Sequence, residues 1–490
     1  MKRNLLTALQ KESLQKILLI SLKQDQWQSA YIVRQYFLLS TLFFLIICTI
    51  MLFCTFFSYP LIACATLIAL IILWLIILYP WLTVLLVFLC AGIPSLQIPL
   101  PGHTIRPVEI ALFLCALLIF LSRPKIRLTI PHVLALLFLS VAFISFIHVP
   151  EISSNMTIFG ANKRLYNLLT ILFALFCGTV LINHISNISS FLVSILISNI
   201  PLYLISLAQA FGIPLPLLFS PNQNPALTGD GGRIVGPFDG AATFGIYLTG
   251  LFAVSLSCAL LGTCRRDRII GIFMLFSTIF ALIGSGTRSA LIAIVIMLFI
   301  GLMITKRFKL FFGFIVMVLS GLAVFPNTIL SHFIHSDTST SNRFFLWREA
   351  INIIVAHPLI GIGLEQFHYF YSRLIISPAT QLNQHGISIH NQYLEWGVEG
   401  GILWLVLGVT FLLSLIIFCG YNYSIANNEQ RLPLFAAMLA AIATMTTSFL
   451  DVPFDDVEGG VFFCMLAGLA LGSIVYRRSL KKELIHSNSS

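Results

Sequence analysis

The sequence predicts an all-α fold: a polytopic integral-membrane bundle of 12–14 spans, with one long outer loop carrying amphipathic helices. Three observations lead there. Of 490 residues, 58% are hydrophobic and 9% charged, and the mean hydropathy is +0.97. A chain this apolar has too little polar surface for an ordinary soluble domain. Apolar runs near the length of a bilayer recur from about residue 36 to 476. Between them, clusters of Lys and Arg recur where a single membrane face would hold them.

Residues 1–35 are polar and basic, with Lys2, Arg3, Lys11, Lys16, Lys23 and Arg34 around Leu14, Ile17, Leu18, Ile20 and Leu22. They read as an amphipathic segment on an anionic membrane face. The apolar stretch begins too late for a signal peptide, and no cleavage-like site follows it. Spans are expected at 36–57, 61–78, 81–92, 107–121, 131–149, 165–182, 190–211, 240–261, 268–283, 289–304, 308–326, 400–419, 432–450 and 459–476. The basic connections 122–127, 264–268, 305–309 and 477–482 should be cytoplasmic, together with the N-terminus. All five agree if 60–92 forms a hairpin turning at Tyr79-Pro80-Trp81, either crossing twice or re-entrant. The chain then divides into a cytoplasmic basic segment (1–35), a membrane bundle (36–326), a loop on the opposite, non-cytoplasmic side (327–395), C-terminal membrane helices (396–476) and a cytoplasmic basic tail (477–490). The ten cysteines fall almost wholly inside apolar runs, so no disulfide framework or CxxC metal site is indicated.

This count puts the connections 212–239, 284–288, 327–395 and 451–458 on the far side, and three of them carry arginines against the orientation rule. Arg233 lies in Gly229-Asp-Gly-Gly-Arg-Ile-Val-Gly-Pro-Phe-Asp-Gly240, readable as a flexible turn or as backbone that approaches a ligand closely. Arg288, in Gly284-Ser-Gly-Thr-Arg-Ser-Ala290, opens a span. A cation at a helix N-terminus is unfavourable unless an anion sits there, held by free amides and the guanidinium together. In the long loop, Arg343 to Val355 puts Leu346, Trp347, Ala350, Ile351, Ile354 and Val355 on one side of an interfacial helix that Pro358 ends. Arg348 and Arg373 share that loop with His332, His335, His357, His368, His385 and His390, without the carboxylate or cysteine spacing of a metal site. The acidic stretch Asp451-Val-Pro-Phe-Asp-Asp-Val-Glu458 reads most simply as a solvated turn, with Asp451 available to orient a substrate or an imidazole.

The loop ends in Ser388-Ile-His-Asn-Gln-Tyr-Leu-Glu, which runs straight into an apolar segment. With a helix starting near Ser388, Gly397 and Gly401 fall within about 20° of the His390 face, and Glu395 and Glu399 point away from it. That strip is either a groove for a long lipid or a Gly-x-x-x-Gly packing surface.

These motifs, in this order, resemble the O-antigen ligase and polymerase superfamily of bacterial envelope glycosyltransferases. Gly284-Ser-Gly-Thr-Arg-Ser-Ala, Arg343 to Trp347 followed by His357-Pro-Leu-Ile-Gly-Ile-Gly363, and His390-Asn-Gln-Tyr-Leu-Glu with Glu399-Gly-Gly-Ile-Leu carry the resemblance. It covers roughly 225–420. One segment departs: Arg233-Ile-Val-Gly-Pro-Phe is followed by Asp239-Gly-Ala-Ala, where the family often has Pro-Asn.

The resemblance implies a GT-C-like inner-membrane enzyme with its active site on the periplasmic face. It would move a glycan from undecaprenyl pyrophosphate to a hydroxyl of lipid A-core, without metal, cofactor or nucleic acid. On that expectation Arg233 and Arg288 bind pyrophosphate, and His390 is the base or holds the acceptor. Arg343, Asn391 and Asp451 assist. The alternatives within the class are an O-antigen polymerase and a protein O-oligosaccharyltransferase; the short tail after 476 disfavours the latter. A membrane transporter is the non-enzyme alternative, disfavoured by spans almost free of charge.

Overall fold

The computed structural model describes residues 79–95, 98–100, 103–122, 124, 127–148, 155–213, 233–307, 309, 312, 337–367 and 388–489. The chain forms two compact units, Met1–Leu82 and Thr83–Ser490. Only 79–82 of the first are described, so the account below concerns the second.

Thirteen α-helices occur among the described residues: α1 (Trp81–Ala91), α2 (Pro107–Ser122), α3 (Ile130–Ile147), α4 (Asn155–Leu181), α5 (Ile188–Ser198), α6 (Ile200–Ala210), α7 (Ala241–Leu261), α8 (Arg265–Ser285), α9 (Arg288–Ile304), α10 (Asp337–Ala356), α11 (Gln392–Ile425), α12 (Asn428–Thr447) and α13 (Val457–Ser489). A two-stranded antiparallel hairpin, β1 (Ile98–Leu100) and β2 (His103–Ile105), precedes α2. Seven stretches among the described residues are long and apolar enough to cross a membrane: Ile130–Ile147, Gly160–His184, Ile188–Ala210, Ala241–Leu261, Arg265–Ser285, Gln392–Ile425 and Val457–Val475. α1, α2, α9 and α12 coincide with four more expected spans. The expected segment 1–35 and spans 36–57 and 61–78 lie outside the described residues, as does nearly all of 308–326.

α13 and α7 form the centre. Val457–Val475 is buried all round and α7 almost so, whereas α3, α8 and α11 turn apolar side chains such as Phe143, Phe273 and Ile402 outward. Such outward apolar faces suit lipid contact and would be untenable in water. α13 packs along α4, where a Cβ on Gly468 would run into the Leu175 carbonyl; small residues let the two backbones touch. α7 packs on α8 and α12, and α11 on α12 and α3.

Two spans differ from the expected run. The stretch 190–211 is two helices, because Pro201 lacks the amide the helix would need and Asn199 takes over the join. Asn199 donates to Ile195 O at 2.9 Å and accepts from the Tyr247 hydroxyl at 2.8 Å. The long helix α11 starts at Gln392 and is broken at Gly401, where φ is 71° and ψ is −173°. At that break the carbonyls of Val398 and Glu399 bind the amides of Ile362 and Gly363 at 2.9 and 3.0 Å, and the Ile402 amide binds Pro358 O at 2.8 Å. The backbone groups freed by the break are thus satisfied by the chain following α10.

α10 confirms a helix after 337 but turns it differently from expectation. Leu346, Ala350 and Ile353, within about 60° of one another at 100° per residue, are buried against Ile362, Phe367, Ile389 and Val398. Ile351 and Val355 are exposed instead. Ile353, on the strip facing α11, takes the place expected of them.

Candidate functional site

The predicted site residues converge at one end of the bundle, around the turn from α8 to α9. α8 ends at Gly286 in the left-handed region (φ 59°), which reverses the chain. Thr287 then donates its hydroxyl to Ala241 O at 2.7 Å, tying the turn to the start of α7. The segment 233–240 lies against this turn: Ile234 N donates to Gly284 O at 2.9 Å, and the Gln209 amide bonds both the N–H and the C=O of Gly236 at 2.8 Å. Val235 and Phe238 are buried, so the described half of this glycine-rich loop is packed rather than a flexible turn. Arg233 reaches across with Nε on Ser285 O at 2.6 Å and Nη2 on Thr287 Oγ1 at 3.3 Å.

Arg288 is the first residue of α9 and is half-buried. Its neighbour Ser289 donates its hydroxyl to Asp451 Oδ2. Burial pushes the Asp451 carboxyl above its ordinary value, against that hydrogen bond and the pull of Arg343 and Arg233. Arg343, on α10, donates to Leu450 O at 3.0 Å, so α10 is pinned beside Asp451. The stretch 451–458 is therefore not the solvated turn its composition suggests. Asp451, Asp456 and Glu458 are all buried, with Ser289 bonding Asp451 and Arg106 3.6 Å from Glu458.

His390 stands just before α11 rather than on it. Its φ is 52°, a left-handed backbone uncommon for a side chain of this size, and its amide donates to Ser388 Oγ at 3.2 Å. The next residue, Asn391, caps α11: its Oδ1 accepts from Leu394 N at 3.0 Å and its Nδ2 donates to Phe449 O at 3.1 Å. On the other side, Trp347 of α10 donates to Ile389 O at 3.0 Å. The half-buried imidazole is held below its ordinary pKa, first by burial and then by the nearby Arg343 cation.

Arg233, Arg343 and Asp451 thus share one electrostatic neighbourhood, with His390 beside Arg343 and Arg288 one residue from Ser289. Arg348 is exposed on α10, and Arg373 lies outside the described residues. The strip through Gly397 and Gly401 is corrected. Because α11 begins at Gln392, His390 is not on the helical face counted from Ser388. A Cβ on Gly397 would meet Ile354, and one on Gly401 the backbone of Leu359 and Ile360. The strip is a packing surface filled by the chain itself.

Sequence reasoning missed Arg164. It is 4% exposed, at the start of the spanning part of α4. Its guanidinium lies 2.9 Å from Glu395 and 2.9 Å from Glu399, 3.7 Å from Glu365, and pairs with Asp455. The same orientation rule that singles out Arg233 and Arg288 points to it. By the same charge count the connection 150–164 is expected on the far side, and it ends in Lys163-Arg164.

Residues 272–407 match the family model described as O-Antigen ligase, a segment that holds Arg288, Arg343, His390 and Asn391 and leaves Arg164, Arg233 and Asp451 outside it. No curated protein matches the chain. With its set of apolar helices long enough to cross a bilayer, this is a multi-pass membrane protein, and over residues 272–407 it is similar to the O-antigen ligase family.

Proposed function

We propose that this protein transfers a glycan from undecaprenyl pyrophosphate to a hydroxyl of lipid A-core, at the periplasmic face of the bacterial inner membrane. The observation that carries this reading is the meeting of Arg233, Arg343, Asp451 and His390 beside the Arg288 helix start. As the anomeric C–O bond breaks, negative charge gathers on the departing pyrophosphate. Preorganised guanidinium groups at Arg233 and Arg288 stabilise that charge most in the transition state. The acceptor hydroxyl must lose a proton as it attacks. An imidazole held neutral at His390 can take it, or can hold the hydroxyl in line. Asp451 orients the arginines, and Asn391 fixes the turn on which His390 rides. None of these steps calls for a metal.

Deleting the gene should remove envelope glycan from lipid A-core while the lipid-linked precursor accumulates. If single repeat units still reach lipid A-core, the activity is polymerisation; if the glycan profile is unchanged, the reading fails. The same proposal fixes the sides of the membrane. Asn352→Cys, on the exposed face of α10, should label with an impermeant maleimide in whole cells, whereas Arg266→Cys should label only after lysis. Labelling at 266 from outside would put the arginine turn and the basic connection in the wrong compartments.

A further inference from the structure

The four carboxylates around Arg164 come from three separate segments: Glu395 and Glu399 one turn apart on α11, Glu365 from the loop after α10, and Asp455 from the loop before α13. A buried ion pair is a poor device for stability alone, since matched apolar groups do as well or better. What a guanidinium does supply is direction, because its fixed fork of donors sets where each partner lies. Here one cation faces four carboxylates from those segments, so it sets how they are arranged around it beyond what the backbone bonds between them fix.

The hold extends to the candidate site through continuous bonds. Glu395 Oε2 accepts from Gln392 Nε2 at 3.0 Å. Gln392 in turn accepts from Phe454 N at 2.9 Å, and its own amide donates to Ser448 O at 2.9 Å and Asp451 O at 3.2 Å. Two residues before Gln392 is His390 with its left-handed backbone. Glu399 Oε1 accepts from the amide of Glu365, another left-handed residue (φ 56°). Of these two left-handed non-glycine residues, Glu365 is bonded directly to a carboxylate that Arg164 binds, and His390 is joined to one through the two residues of chain that lead to Gln392.

We propose that Arg164 is a positioning residue for the transfer reaction: through Glu395 and Gln392 it sets the first turn of α11 and the 448–454 segment, and so the placement of His390 relative to Asp451. The consequence for transfer rests on the proposed function. The consequence for geometry does not.

The test uses the full-length protein in its native membrane. Arg164→Met alone leaves the carboxylates facing one another, so the informative variant is Arg164→Met with Glu395→Gln and Glu399→Gln, which leaves no anion on α11 without its cation. Glu395→Gln alone is the second arm, keeping shape and removing one ion pair. The triple variant should accumulate and melt close to wild type, and transfer should fall at least about tenfold through misplacement of the reacting groups, with donor KM little changed. In each background, His390→Cys reports geometry without any need for transfer. Its labelling by an impermeant maleimide should be faster in the triple variant and in Glu395→Gln than beside intact Arg164. Arg164→Lys, which keeps the charge without the fork, should lie between. Folded variants with unchanged labelling and wild-type transfer would reduce Arg164 to a packing residue. If the wild-type protein itself transfers nothing, the proposed function fails, and the labelling still decides the geometry.

Discussion

His390→Ala is expected to abolish transfer, by about a hundredfold or more for loss of a general base, while expression and binding of the lipid-linked donor stay near wild type. The imidazole lies at the meeting of α10, α11 and the Asp451 segment, and the bonds that tie these elements together there belong to Trp347, Ile389 and Asn391. The backbone at 390 complicates a simple substitution, because φ 52° costs most residues about 1 kcal/mol or more. His390→Asn answers that, since asparagine tolerates the left-handed region and still offers a hydrogen bond, but cannot take a proton. If Ala, Gln and Asn are equally inactive, the proton is what matters. If Asn or Gln restores substantial transfer, His390 positions the acceptor and the arginines carry the chemistry. The pH profile gives a second reading. With its pKa held below the ordinary imidazole value, His390 stays neutral further into acid. Transfer limited by this base should therefore fall only below the pH at which a free imidazole would protonate. A decline already at neutral pH would remove His390 from the role of base.

Membrane class and most span positions were legible because they follow from composition and run length, which the bilayer reads directly. The four arginine and histidine positions were legible for a related reason: Arg233, Arg288 and Arg343 stand where the orientation rule disfavours them, and His390 opens an apolar segment. What periodicity could not supply was phase. The helix at 392–425 begins at the Asn391 cap rather than near Ser388, and breaks at Gly401 because the chain after α10 docks into its backbone. The break depends on partners about 40 residues upstream, and the start on partners nearly 60 residues downstream. The rotation of α10 was lost in the same way, since Ile351, Ile353 and Val355 are equally apolar and only the position of α11 decides which is buried. Arg164 was hidden because its meaning lies in four carboxylates 200 or more residues downstream. The acidic stretch at 451–458 misled for the same cause: Asp451 reads as solvated until Ser289 and Arg343 are seen beside it.

Arg288→Lys is expected to fold, insert and lose most transfer, on the order of a hundredfold, the usual scale for removing one preorganised donor from developing charge. Lysine keeps the cation at the first position of α9 but replaces the planar fork by a single, strongly hydrated ammonium. The turn itself should survive, because its neighbours tie it down through Thr287 to Ala241, Ser289 to Asp451, and Arg233 to Ser285. Arg348→Lys is the matched control, exposed on α10, and should transfer as wild type. The division between kcat and KM then says when Arg288 acts. A guanidinium that binds pyrophosphate equally in the ground and transition states would show its loss in the donor KM alone. One that meets the charge only as the C–O bond breaks would show it in kcat, with KM unchanged. The second outcome is expected to dominate, since the bound pyrophosphate is already anionic and the charge that grows as the C–O bond breaks is the part a preorganised fork stabilises more than an ammonium does. Wild-type kinetics in Arg288→Lys would leave Arg288 as an interfacial anchor and shift the pyrophosphate to Arg233 and Arg343.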